Sequence, residues 1–200
     1  MSTPHGYSVY SYGTMVTCEP RMAVYAEALR QAITPGCTVI DLGASFGPFA
    51  LLACQYGAGR VIAIEPDPSI ELLMPLARAN GCADKITVVR DISTNYTPDT
   101  KADVIVSDCR GATPLFEHHI ATIKDARDRL LAPSGTLMPM RDTLKIALVS
   151  SPATYKPYRS CGCPIAMVWI SARAHALPSM RSTRSIPNPR RSSPGPKCWV

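Results

Sequence analysis

The segment Val39-Ile-Asp41-Leu-Gly43-Ala-Ser45-Phe-Gly47 sets an acid and a glycine turn directly after an apolar run. Glycines at such a turn let a ligand approach the backbone closely. A dinucleotide site needs Gly-x-Gly-x-x-Gly to admit a pyrophosphate. This chain reads Gly-x-Ser-x-Gly, with Ser45 in the middle and no third glycine. No Gly-Lys-Ser/Thr follows, which excludes a Walker-type phosphate loop. The surviving ligand is a nucleoside without phosphates. S-adenosylmethionine fits, because its amino-acid end needs backbone polar groups and a nearby acid, here Asp41. A plain tight turn between strand and helix is the alternative.

Two further acids follow apolar runs. Glu65 ends Val61-Ile-Ala-Ile64, 22 residues after Gly43. An acid there can accept two hydrogen bonds from a ribose diol; a solvated acid before the turn Pro66-Asp67-Pro68 is the alternative. Asp91-Ile92 follows a third run. Its carboxylate can accept from an adenine amino group while the Ile92 backbone amide meets the ring; an ordinary loop Asp is the alternative.

These residues need strands to hold them. Thr38–Leu42, Arg60–Ile64, Ile86–Arg90 and Asp103–Ser107 read as buried strands, continuously apolar and rich in Val and Ile. Helical stripes lie between them. Met22, Ala26, Leu29 and Ile33 share one face, Pro48 opens a second helix, and Ser69–Asn80 is a third stretch that Pro75 should kink or split. A helix is expected over Phe116–Leu131. The turn Pro133-Ser-Gly135 and strands at Thr136–Met138 and Leu144–Val149 then follow. Strand–helix alternation predicts an α/β fold with a doubly wound, mostly parallel sheet. Each candidate residue lies at a strand's carboxyl end, where ligands of such sheets bind.

The chain divides by composition into an N-terminal arm (1–20), a domain (21–150) and a tail (151–200). The net charge of +6 is unevenly placed. Residues 1–150 hold 13 Lys and Arg against all 15 acids, a net of −2 (13 − 15). Residues 151–200 hold 8 Lys and Arg and no acid, with 8 Pro and 8 Ser. Basicity therefore does not characterise the domain, and nucleic acid is a partner for the tail alone. A poorly ordered tail accounts for that composition. So does a shifted reading frame near residue 160, because plausible codons for Met167–Ser171, read one base over, give Tyr-Gly-Leu-Asp-Leu. No apolar run approaches the ~18–20 residues of a membrane span. The cysteines read as reduced and the compartment as cytoplasmic. Cys161-Gly-Cys163 is too closely spaced for a zinc knuckle and has no second pair, so no metal is expected.

Arg21…Tyr25, the glycine segment, Val-Ile-Ala-Ile-Glu65 and Asp103-Val-Ile-Val-Ser-Asp108 together resemble class I S-adenosylmethionine-dependent methyltransferases. Ser107-Asp-Cys-Arg-Gly-Ala-Thr-Pro-Leu-Phe-Glu117 narrows the resemblance to the protein arginine methyltransferases and their bacterial relatives. That family has Ser-Glu-Trp-Met-Gly and then a second Glu, giving two acids nine residues apart. Asp108 and Glu117 keep that spacing. The resemblance spans residues 7–155 and continues through Ala126–Pro139. It implies that Arg21 grips the cofactor carboxylate, that Glu65 holds the ribose, and that Asp108 and Glu117 clamp the guanidinium of a protein or peptide substrate. The pairing is chemically apt, since a guanidinium is planar and always charged.

The chain also departs from that pattern. Asp108 is one methylene shorter than Glu, and Cys109 and Arg110 replace Trp and Met. Arg110 is placed to satisfy an acid of the loop itself. The family's β-barrel, with its Thr-His-Trp loop, should follow Val149, so this reading is of a truncated β-domain. The implied function is methyl transfer to a protein acceptor, with the arginine side chain favoured. A different acceptor, such as a ribosomal protein or small molecule, and a catalytically impaired cofactor-binding module are the alternatives.

Overall fold

The computed structural model describes residues 9–111, 115, 118–146 and 170–174. Helices α1 (Val9–Val16) and α2 (Glu19–Ala32) lead into strand β1 (Thr38–Leu42). Helix α3 (Pro48–Gln55), β2 (Arg60–Ile64), α4 (Leu73–Ala79), β3 (Ile86–Val89) and β4 (Ala102–Ser107) follow. Helix α5 (His119–Asp125) then precedes β5 (Leu131–Met138), β6 (Asp142–Ile146) and β7 (Ile170–Ala174).

Five strands form one parallel sheet in the order β3-β2-β1-β4-β5. β1 is central and pairs with β2 on one side and β4 on the other, Asp41 facing Ala63 and Val106. The order reverses at β1, so its carboxyl end is the switch point at which such sheets bind ligands. The expected parallel sheet is present, and its four leading strands match the apolar runs closely.

Alternation along β1 divides the core. Val39 faces the layer of Leu29, Phe49, Ala50, Ala53, Leu73 and Ala77, drawn from α2, α3 and α4. Ile40 and Leu42 face the opposite layer, closed by Ala126 and Leu130. Both sheet faces are covered, which is why these strands carry no polar alternation.

Several boundaries differ from expectation. Pro75 does divide its segment: a 3-10 turn at Pro68–Leu72 precedes α4, and the proline sits in that helix's first turn, where a missing N–H costs no hydrogen bond. The helix expected over Phe116–Leu131 begins at His119, continues into a π turn over Ala126–Leu130, and gives way to strand at Leu131. β5 starts earlier than Thr136. Its register to β4 jumps from Ala102↔Leu131 to Val104↔Thr136, so Pro133-Ser-Gly135 bulges out of the strand instead of ending it. In the tail, Ile170–Ala174 pairs antiparallel with β6. The rest of that segment lies outside the described residues, as do Tyr7, Glu117 and residues 147–149. Cys37, Cys54, Cys82 and Cys109 are free thiols, while Cys18, read as reduced, is disulfide-bonded. No helix among the described residues is long and apolar enough to cross a membrane.

Leu73 is fully buried, and its side chain fills the space beside Gly47 at the start of α3. Leu73→Ala should therefore lower unfolding free energy by about 2–5 kcal/mol, read as a reduced urea midpoint at unchanged m-value.

Candidate active site

The glycine turn is shaped by two left-handed glycines and one left-handed serine. Gly43 has φ 75° and Gly47 has φ 87°. Gly47 is the N-cap residue of α3, with Pro48 directly behind it in the first turn. Ser45 adopts φ 55°, a region costly for a residue with a Cβ. That geometry explains why glycine is the ordinary choice at the middle position. The Ser45 amide donates to Glu65 Oε2 at 2.9 Å, and the Asp67 amide donates to Glu65 Oε1 at 2.9 Å. Glu65 thus spans the tips of β1 and β2. Its carboxyl sits above the usual carboxylate range because burial outweighs these two amide donors.

Asp41 is fully buried in β1. Its Oδ2 accepts from the Ala50 amide at 2.9 Å, satisfying one of the free N–H groups in the first turn of α3. Oδ1 has no hydrogen-bond partner, and neither does the buried Ser45 Oγ. Two unpaired polar atoms at one turn suit a polar ligand end, since buried polar groups otherwise nearly always find partners. Burial pushes the Asp41 carboxyl up to about 7, with the nearby Glu65 carboxylate adding to the effect and the Ala50 amide opposing it.

Asp91 and Ile92 follow β3 and are exposed. The Ile92 amide, expected to meet a ligand ring, donates to Asp91 Oδ1 at 2.7 Å. Asn95 Nδ2 donates to the same oxygen at 3.0 Å.

Asp108 follows β4 and is gripped from both sides. Arg21 Nε donates to Oδ2 at 2.9 Å, and Arg21 Nη2 reaches the same oxygen. Arg110 Nε approaches Oδ1 at 3.4 Å. Arg21 also donates from Nη1 to the Met15 carbonyl at 3.0 Å, tying α1 to this corner. Tyr12 of α1 meets Phe46 of the glycine turn edge-on, with ring centroids 6.3 Å apart. Tyr12 thus lies against the glycine turn, while Tyr10 on the same helix is exposed.

Cys109 joins the two halves. Its thiol donates to the Leu42 carbonyl at 3.2 Å and lies against Gly43 so closely that a Cβ there would overlap the sulfur. Burial pushes the thiol up to about 11; the Ser107 hydroxyl opposes this, while the carboxylates of Glu65, Asp108 and Asp41 around it reinforce it. The thiol therefore remains protonated. Asp41 within β1, Glu65 after β2 and Asp108 after β4 all lie near this one side chain.

Three further residues complete this corner: Tyr25, which the sequence pattern includes, and Asp142 and His119, which it does not. Tyr25 packs on Phe49 at 4.6 Å between centroids, and its hydroxyl accepts from Arg110 Nη2 at 2.6 Å. Asp142, the first residue of β6, pairs with Arg110 Nη1. His119 is buried with Nδ1 unpartnered. Burial lowers its pKa, against an opposing pull from Asp142. A histidine pair opening the helix after the acid loop reads from sequence as exposed; His118 is exposed, whereas His119 is buried, and nothing in the sequence distinguishes Asp142 from a surface acid.

The chain is 31% identical over 154 residues to a probable protein arginine N-methyltransferase 6 of Arabidopsis thaliana. It is 33% identical over 147 residues to an arginine N(omega)-methyltransferase of Streptomyces achromogenes. These alignments cover 76% and 71% of the chain. Over that stretch the chain is similar in sequence to arginine methyltransferases. It spans 35% and 41% of those relatives' lengths. No family model matches. Among solved structures, Arabidopsis thaliana protein arginine methyltransferase 10 superimposes with a TM-score of 0.70 at 28% identity, covering 78% of this chain and 45% of that one. A Trypanosoma brucei enzyme–prozyme heterotetramer with AdoHcy shares the fold, with a TM-score of 0.68 at 22% identity over 74% of this chain and 47% of its own.

Two outcomes follow for this site. Gly43→Ala drives a methyl group into Cys109 at a backbone angle that disfavours it. It should destabilise by about 1–3 kcal/mol, and Cys109→Ala in the same chain should restore part of that loss in urea titration. The raised Asp41 pKa implies that the neutral carboxyl stabilises the fold. Its contribution is present below pH 4 and lost as pH rises through about 7. Unfolding free energy should fall across that window, and Asp41→Asn should flatten the slope.

Proposed function

We propose that this chain binds S-adenosylmethionine and transfers its methyl group to an arginine side chain of a protein or peptide. The observation that carries the reading is at Asp108: each oxygen of this acid already receives a guanidinium, Arg21 on Oδ2 and Arg110 on Oδ1. Asp108 therefore has the chemistry to accept a planar guanidinium, which in this chain Arg21 and Arg110 supply. The relatives named above are arginine methyltransferases, and the Trypanosoma structure was solved with AdoHcy.

The residues suit the cofactor. Asp41 and Ser45 offer buried polar atoms lacking protein partners, Gly43 and Gly47 supply the left-handed backbone that shapes the turn while Cys109 and Leu73 fill the space beside them, and Glu65 stands at the tip of the neighbouring strand. Arg21, which pairs with Asp108 in this structure, would have to leave that acid to hold the cofactor carboxylate, while Glu65 would hold the ribose and Asp91 with Ile92 the adenine. Bound S-adenosylmethionine supplies an electrophilic methyl group on a sulfonium. Asp108 and Glu117 orient one guanidinium nitrogen toward that methyl and accept the proton the nitrogen gives up. A cofactor-binding module without transfer is the second reading, favoured because both Asp108 oxygens are engaged from within the chain.

Calorimetry with S-adenosylhomocysteine tests the first half of the proposal. Absence of binding at high micromolar ligand would remove both readings. Labelled methyl transfer to an Arg-Gly peptide tests the second half. Asp108→Asn and Glu117→Gln should each reduce transfer by on the order of a hundredfold or more; transfer surviving both substitutions would end the roles given to these acids.

A further inference from the structure

Arg110 is an internal guanidinium placed at the acid that the proposed acceptor needs. Its side chain is 9% exposed, and three groups hold it. Nη1 pairs with Asp142, Nη2 donates to the Tyr25 hydroxyl at 2.6 Å, and Nε stands 3.4 Å from Asp108 Oδ1. The Asp108 contact is the longest of the three. Arg110 is therefore anchored on β6 and α2, and rests only lightly on the acid loop. Burial opposes its charge, but Tyr25, Asp108 and Asp142 more than offset this and keep the guanidinium protonated. Among the described residues, the two arginines (Arg21, Arg110) and two aspartates (Asp108, Asp142) of this cluster sum to zero charge. Each carboxylate of the cluster is thus already matched by a guanidinium. Binding there has to proceed by exchange of partners.

Building on the reading of Asp108 as a guanidinium-binding acid, we propose that Arg110 competes internally with the acceptor arginine and that Asp142 sets the strength of that competition. With Asp142 present, Arg110 keeps a carboxylate partner when an acceptor takes Oδ1. Without it, Asp108 is the remaining carboxylate for Arg110, and the acceptor is shut out. The acceptor's affinity is thus tuned by a residue on β6, outside the acid loop. A merely structural ion pair makes a different forecast: each single substitution harms, and the double substitution returns to the starting affinity.

The test is titration of an Arg-Gly peptide into the full chain saturated with S-adenosylhomocysteine. Asp142→Asn should weaken peptide binding about tenfold, the scale of one charged hydrogen bond. Arg110→Met with Asp142→Asn, which leaves no buried charge unpaired, should bind the peptide about tenfold more tightly than the unaltered chain. Arg110→Lys, which loses the forked geometry that engages several partners at once, should bind the peptide more tightly than the unaltered chain but less tightly than the double variant, and serves where the double variant does not fold. Peptide binding by the double or lysine variant equal to or weaker than that of the unaltered chain would overturn the proposal while leaving the methyltransferase reading in place. Failure of the unaltered chain to bind S-adenosylhomocysteine would instead overturn that reading, and this proposal with it.

Discussion

The contact between the Cys109 sulfur and the bare Cα of Gly43 sets the rest of the site. It brings the loop after β4 down onto the turn after β1, with the thiol donating to Leu42. Neither partner tolerates much change. Gly43 has no room for a methyl group, and a thiol is small enough to enter while still supplying a donor. The acids that would serve the cofactor and the acid that would serve the acceptor meet around this side chain. An aromatic side chain, which the family resemblance leads one to expect here, would need a different approach of the two loops.

Asp41 performs a related task one layer deeper. Its carboxyl takes the place of a helix cap, accepting from Ala50 in a helix whose N-cap is a glycine with no side chain to offer. β1 and α3 are thereby fixed to each other through a group that also leaves an oxygen unpaired. Rigidity and readiness for a ligand come from the two oxygens of one residue.

The sheet was readable because each leading strand is a run too short for a helix and rich in Val and Ile, and β1 and β2 are closed off by glycine or proline. The glycine turn, Glu65 and Asp108 were readable because their positions follow from the strand ends. The π turn at Ala126–Leu130 was not, since its apolar spacing over a single turn matches that of an α-helix. The corner built by Tyr25, Arg110 and Asp142 was legible only in part. Arg110 stands beside Asp108 in sequence, so its interference was foreseeable, whereas Asp142 lies 32 residues further on and meets Arg110 only through the fold. Long-range ion pairs leave no periodic trace.

The parallel pairing of β1 with β4 has a consequence for how the site comes into being. Val39 to Leu42 meet Val104 to Ser107 across a long intervening stretch that itself forms β2 and β3. Closing so long a loop is entropically slow compared with forming local structure. The β1–β2 unit, with its glycine turn and Glu65, can assemble from contiguous chain, but Cys109 and Asp108 arrive only when β4 docks. On a ribosome, the turn after β1 and Glu65 would exist as nascent structure before the loop after β4 had docked. The two loops therefore meet only once the central pairing of the sheet has formed.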